Sequence, residues 1–127
     1  NRGTIISDFG DRRDPFTGRN AFHSGIDIDV EESTPVYAVL EGKILESSEN
    51  SENGKYVIIE HKKGLLTYYL HLSKIFVKEN LEVSEGEIIG LSGSTGRSKG
   101  AHLHFAAKLN NEFVDPELIL SNINEFK

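Results

Sequence analysis

The sequence predicts an all-β fold, with antiparallel β-sheets forming a sandwich- or barrel-like core and minimal helix. Three observations predict it. Apolar and polar residues alternate with a period of two in several short runs, as they do along half-buried strands. Glycine-containing turn signals separate those runs, drawn from 12 glycines in 127 residues. Long patterns of helical period are few, so little of the chain is available for helices. Short strands joined by tight turns bury their apolar faces most simply by packing as antiparallel sheets.

The elements follow in order along the chain. A short strand is expected around Thr4 to Ile6, then a loop rich in Arg, Asp and Gly as far as Asn20. Gly25 to Val30 alternates, with Ile26, Ile28 and Val30 on one side and Asp27 and Asp29 on the other. Pro35 to Glu46 reads as a strand-pair region: Val36, Ala38 and Leu40 alternate ahead of a Glu41-Gly42 turn or bulge. Ser47 to Gly54 reads as a polar loop ending in the turn signal Asn53-Gly54. Tyr56 to His61 and Leu65 to Leu72 form a hairpin across Lys62-Lys63-Gly64, extended through Ile75 to Val77. Val83 to Leu91 is a strand interrupted at Glu85-Gly86. Ser92 to Gly100 is a Gly, Ser and Thr loop whose glycines allow close approach of an extended peptide. His102 to Leu109 alternates again and turns at Asn110-Asn111 to return through Phe113. Asp115-Pro116 stops that strand, Glu117 to Leu120 makes one helical turn, and the tail frays.

Length favours a single domain over residues 1–127. The chain starts at Asn1 and has no methionine, which reads as a domain excised from a longer chain or a processed product. Any signal peptide, membrane anchor or partner domain then lies outside it. Fourteen basic residues against 20 acidic ones leave a net charge of −6, which argues against a nucleic-acid partner, since neutralising phosphates needs a surplus of cations. No apolar run approaches the ~20 residues of a membrane helix, so membrane contact is expected only through segments outside this chain. There are no cysteines. Any metal is therefore held by histidine and carboxylate.

Five histidines are present: His23, His61, His71, His102 and His104. His23 and Asp27 are four residues apart and lead into an alternating strand. His102 and His104 are two apart inside another. Residues two or four apart on a strand share a face, so each pair presents polar groups on one side. Imidazole nitrogen and carboxylate oxygen are zinc donors, and a catalytic zinc takes three protein ligands and keeps one position open. The metal lowers the pKa of a coordinated water to about 7, and further imidazoles nearby can carry a proton. Periodicity leaves the choice between Asp27 and Asp29, and between His102 and His104, open. His61 beside Lys62 and Lys63 reads as a structural or solvated histidine at a hairpin end.

Five segments occur together and in order. His23-Ser24-Gly25-Ile26-Asp27 resembles the H-x-G-x-D signature of the lysostaphin/LytM-type zinc metalloendopeptidases, which cleave peptidoglycan. Tyr69-Leu70-His71-Leu72-Ser73 resembles the family's Y-x-H-L-S, and Gly93-Ser94-Thr95-Gly96 its G-x-T-G loop. His102-Leu103-His104-Phe105 resembles its H-x-H strand followed by an aromatic, and Val114-Asp115-Pro116 its closing V-D-P. The likeness runs from about Phe9 to Leu120. It implies one Zn2+ ion held by His23, Asp27 and His104 in a cleft, with His71 and His102 as the catalytic pair and Asp29 left unligated. It also implies peptidoglycan peptides as the partner, and a workplace in the periplasm or at the outer face of a bacterial envelope.

Some positions depart from the pattern. Thr17 stands where relatives that cut glycine cross-bridges carry Tyr, which points away from polyglycine. Arg12-Arg13-Asp14-Pro15 resembles the R-x-x-P entry of members that cut stem-peptide cross-links. Arg12 or Arg13 would meet a substrate carboxylate with two-pronged geometry, or would be a structural loop arginine. Ser33 replaces a usual glycine, with a local turn change and no functional effect expected. Three other readings compete. One is a non-catalytic or latent member that regulates other wall hydrolases; the retained histidines and Asp27 count against it. Another is a lipoyl or biotinyl carrier, to which Val36-Tyr37-Ala38 and Val83-Ser84-Glu85-Gly86 bear some likeness; no modifiable lysine tripeptide is present. The third is a structural zinc, which usually takes four ligands, often thiolates; without cysteine it would need two of the remaining histidines as well, a four-ligand His/Asp set being chemically possible.

Overall fold

The structure is a computed structural model that describes residues 4–7, 10–13, 20–23, 26–29, 31–93 and 102–127. For residues up to Asp27, for Asp29 and for His102 it describes the backbone alone. Twelve strands are found among these residues: β1 (Thr4–Ser7), β2 (Gly10–Arg13), β3 (Asn20–His23), β4 (Ile26–Asp29), β5 (Pro35–Tyr37), β6 (Gly42–Asn50), β7 (Gly54–Glu60), β8 (Leu65–Ile75), β9 (Glu82–Val83), β10 (Ile88–Ser92), β11 (His102–Leu109) and β12 (Glu112–Val114). One short helix, α1 (Pro116–Ser121), follows them. The fold is mostly antiparallel sheet curled into a half-barrel, as its sequence predicts. Ten of the described strands share one sheet, ordered β1-β4-β11-β8-β7-β6-β9 along its main path, and β2 and β3 pair separately.

Strand β8 organises the sheet. One edge runs beside β7, from Glu60↔Leu66 to Lys55↔Leu72. The other edge pairs with β11 from Leu109↔Leu65 to His104↔Leu70, and then with β10 from Ser92↔Leu72 to Gly90↔Ile75. His71 falls in the gap where β11 and β10 part. A strand that changes neighbours must bend, and bends of this kind are made by bulges. The ladder with β7 does shift register between Lys55 and Val57: two steps on β7 oppose three on β8.

The inner face buries Tyr69, Phe105, Ile59, Val57, Ile44, Leu72, Leu103, Ile89 and Val36 in one cluster. Side chains of this size contribute about 1.5–3 kcal/mol each when fully buried. Tyr69 and Phe105 sit at its centre with ring centroids 5.4 Å apart, tilted by 56°. A second cluster gathers Leu40, Leu65, Ala107 and Ile119 at the far end of β8 and β11.

Several expectations change. Ser47 to Asn50 belongs to β6, so the polar loop shrinks to three residues between Asn50 and Gly54, which pair directly. Loops of three residues closed by a left-handed residue are a standard hairpin solution, and Gly54 supplies it at φ 65. The segment expected to be a loop before Asn20 contains β2, paired with β3. β5 and β6 do not pair with each other; β5 pairs β10 and β6 pairs β7 and β9. The tail does not fray: a 3-10 turn over Ile123–Phe126 lays Ile123 and Phe126 against the second cluster. The β7–β8 hairpin, β11, and the Asn110-Asn111 turn stand as expected. Both asparagines take positive φ, 50 and 71, as a two-residue type I′ turn requires. Asp115 caps α1, accepting the Glu117 N–H at 3.0 Å, with Pro116 following it.

Candidate active site

The site is built where β4, β11 and β8 lie side by side. β11 pairs β4 with His104 opposite Asp27 and His102 opposite Asp29. Directly opposed residues of an antiparallel pair share a face, with Cα atoms about 4.5–5.5 Å apart. Phe105 and Leu103 on the same strand are buried in the core, so His104 belongs to the opposite face and is only partly buried.

Simple alternation along β8 would turn His71 inward. Leu65, Thr67 and Tyr69 are buried in step, with Leu66, Tyr68 and Leu70 more exposed. The pattern then slips: His71 and Leu72 are both buried, and Leu72 is the one that joins the core cluster. The slip is the bulge seen in the ladder with β7. At its centre His71 takes φ 64, in the left-handed region that costs a non-glycine residue about 1–2 kcal/mol. Its N–H has left the β8 ladders and donates to the Asn53 carbonyl in the β6–β7 turn at 2.9 Å. The result is that the His71 ring stands edge-on to the His104 ring, with centroids 6.2 Å apart and planes at 80°.

Of the residues singled out in the sequence, the structure brings His71 and His104 together as side chains, and Asp27 beside His104 by register. His23 ends β3 opposite Gly10. The side chains of His23, Asp27 and His102 lie outside the described residues, as do Ser94 to Gly100, Thr17, and the side chains of Arg12 and Arg13. The donor types suit zinc: an imidazole and a carboxylate at opposed register positions, and no thiolate competing in the chain.

Two groups around the site are not evident from the sequence. The Asn53 carbonyl is one; Asn53-Gly54 signals a turn but not the residue it reaches. The other is a polar clasp at the root of the segment leading to β11. Ser92 Oγ donates to the Glu31 carbonyl at 2.7 Å and accepts the Thr34 N–H at 3.0 Å, and Ser73 Oγ donates to the Ser92 carbonyl at 2.9 Å. Gly93 continues that root. A Cβ there would meet the Ser73 backbone nitrogen at 2.7 Å, so the close approach of the two strands needs glycine.

His61 is elsewhere. It borders a cleft of about 610 Å³ lined also by Glu41, Lys43, Glu60 and Glu82, yet it offers that cleft no chemistry. Its Nδ1 donates to the Glu41 carbonyl at 2.8 Å and its Nε2 accepts from Thr67 Oγ1 at 2.7 Å. Burial holds its pKa below the usual imidazole value, opposed only by the Glu41 hydrogen bond. This is the structural histidine expected there, but buried rather than solvated.

Comparison with known proteins bears on this arrangement. The profile of peptidase family M23 matches residues 21–116. That span contains β3, β4, β8 and β11, the strands that carry every residue of the candidate site. This chain belongs to peptidase family M23. It is 46% identical to the peptidoglycan DD-endopeptidase ShyA of Vibrio cholerae over 80% of its own length and 24% of that protein's. The crystal structure of a zinc-containing peptidase from Vibrio cholerae superposes with a TM-score of 0.85 at 40% identity, covering 89% of this chain and 35% of that one. The catalytic domain of lysostaphin from Staphylococcus simulans gives 0.84 at 33% identity, covering 94% and 92%. The chain thus spans about a quarter of the length of the curated relatives it matches, and nearly all of an M23 catalytic domain.

Proposed function

We propose that this M23 domain is a zinc-dependent endopeptidase that hydrolyses a peptide bond in the peptidoglycan stem-peptide cross-link. The observation that carries the reading is the His71–His104 pair. A bulge and a left-handed residue, both costly, are kept in β8, and what they achieve is an imidazole facing another imidazole next to an aspartate position. Conformations of that cost persist where the surrounding structure over-determines them, commonly at functional sites.

In this reading His23, Asp27 and His104 hold one zinc ion, leaving His71 and His102 to act on substrate. Bound zinc supplies Lewis acidity at the scissile carbonyl and acidifies water. A ring nitrogen of His71 accepts or returns a proton beside that carbonyl, and His102 shares this work. An imidazole suits it because its ordinary pKa lies near neutrality, where proton transfer in both directions is rapid. The extended cross-link peptide lies over the open face of β11 and β8. Relatives named DD-endopeptidases, together with Thr17 and the Arg12-to-Pro15 segment, support the cross-link over polyglycine. The substrate places the domain at the cell envelope.

Defined cross-linked muropeptides, digested with the zinc-loaded protein and analysed by mass spectrometry, test this. Cleavage abolished by chelation and in His71→Ala is the expected result, and product masses name the bond. One tightly bound zinc with no cleavage of any wall peptide would instead favour a latent or regulatory member.

A further inference from the structure

We propose that Asn50 is a positioning residue for His71, acting through the β6–β7 turn. The inference rests on the reading of His71 as catalytic. The left-handed backbone of His71 is unfavourable by itself, so something must hold it. The described backbone contact is the hydrogen bond from its N–H to the Asn53 carbonyl, 2.9 Å. That carbonyl belongs to a three-residue turn, and a turn so short can aim its carbonyls in more than one direction. Asn50 removes the freedom. Its Oδ1 accepts both the Glu52 N–H at 3.0 Å and the Asn53 N–H at 2.6 Å, an arrangement in which an asparagine side chain mimics a backbone turn. Holding the Asn53 nitrogen orients the Glu52–Asn53 peptide unit, directly before the Asn53–Gly54 unit that carries the carbonyl. Gly54 at φ 65 then closes the turn opposite Asn50. Asn50 itself is exposed and packs in neither core cluster. Its two hydrogen bonds lie at the surface, so their loss costs the fold little while loosening a support of the bulge that they serve.

The test compares Asn50→Ala, Asn50→Asp and His71→Ala in the full chain. Aspartate keeps the acceptor oxygen; alanine removes it. Asn50→Ala should lower kcat by about tenfold, since displacements near 1 Å at a reacting group cost up to about 100-fold. KM and bound zinc should be unchanged. In the substrate-free protein, the His71 amide should exchange with solvent about tenfold faster while core amides keep their protection. Asn50→Asp should restore both kcat and protection. An Asn50→Ala protein with full kcat, or with unaltered exchange at His71, overturns the inference. So does a loss that Asn50→Asp fails to rescue. Should His71→Ala retain activity, the catalytic reading of His71 falls and the inference falls with it. An inactive His71→Ala beside a fully active Asn50→Ala removes the inference alone.

Discussion

His61, just after β7, and His71, on β8, are almost equally buried, 7% and 8% exposed. The first is part of a continuous hydrogen-bonded chain. Its Nδ1–H reaches the Glu41 carbonyl and its Nε2 accepts from Thr67; Thr67 Oγ1 accepts from Tyr69 at 2.9 Å, and the Tyr69 oxygen accepts the Val39 N–H at 3.3 Å. Burial favours the neutral imidazole, and with its Nδ1–H on the Glu41 carbonyl the rest of the chain donates toward Nε2. Burial pushes the Tyr69 phenol up to about 12, which keeps it a donor. His71 instead sits on a bulge, in an unfavourable torsion, with its ring against another histidine. Burial alone therefore says nothing about whether a histidine is chemical. A closed hydrogen-bonded chain marks His61 as structural; the costly backbone of His71 and its facing imidazole are what support the proposed role.

Substituting each in turn is the hardest test of that contrast. His71→Ala should lower hydrolysis by about 10²–10⁴-fold, the range of a lost general acid–base group, and leave zinc content and urea stability nearly intact. His61→Ala should do the reverse. It opens a cavity and strands the Thr67 hydroxyl and the Glu41 carbonyl, costing about 3 kcal/mol in urea unfolding, with kcat per folded molecule unchanged. Equal losses of kcat in the two variants would erase the distinction. Tyr69→Phe probes the same chain more gently. It removes one hydroxyl, leaves the partly buried Val39 N–H without that acceptor, and should cost about 1 kcal/mol at unaltered kcat.

The pH dependence of stability sharpens the comparison further. His61 has its folded pKa below its unfolded value of 6.5. Between those two values the unfolded chain binds the extra proton and the folded chain does not, so stability rises with pH there. The His61 contribution is complete above about 6.5 and declines as pH falls from that value toward the folded pKa. Urea midpoints taken from pH 7.5 down to 5 should show this decline, and it should shrink in His61→Gln. An unchanged slope in that variant would assign the decline to other groups.

What the sequence disclosed follows from what periodicity encodes. A half-buried strand must alternate, so β11 is legible to the residue in His102 to Leu109, and so is the opposition of its two faces. Asn110-Asn111 is legible because few residues tolerate positive φ. The bulge is not. Thr67 to Leu72 contains no glycine or proline to mark a break, and the slip at His71 arises where β8 exchanges β11 for β10, a matter of distant partners. Ser47 to Asn50 misleads because all four residues are polar and three of them are exposed, so nothing apolar marks them as strand. The tail did carry a signal, since Ile123 and Phe126 are three apart and can face one surface in a single turn. Which histidine meets which came from motif likeness for His104 and His71, and only the register and ring geometry place them side by side.

The smallest expected effect concerns a left-handed residue with no chemistry attached. Ser33 takes φ 66, in the left-handed region that glycine adopts at no steric cost. Its N–H donates to the Ser92 carbonyl at 2.7 Å, which anchors the turn to β10. Like His71 it bears the cost of a left-handed backbone, but it is an exposed turn residue, and no ring depends on it. Ser33→Gly should therefore stabilise the domain by about 0.5–1 kcal/mol: glycine relieves the torsional penalty of about 1–2 kcal/mol and returns part of it through the greater freedom of the unfolded chain. Activity should not change. The equivalent relief at the bulge, His71→Gly, should also raise the urea midpoint relative to His71→Ala while leaving hydrolysis equally low. If it does, the left-handed conformation at His71 is a cost the fold carries for the sake of the ring, and at Ser33 a cost carried for nothing the site uses.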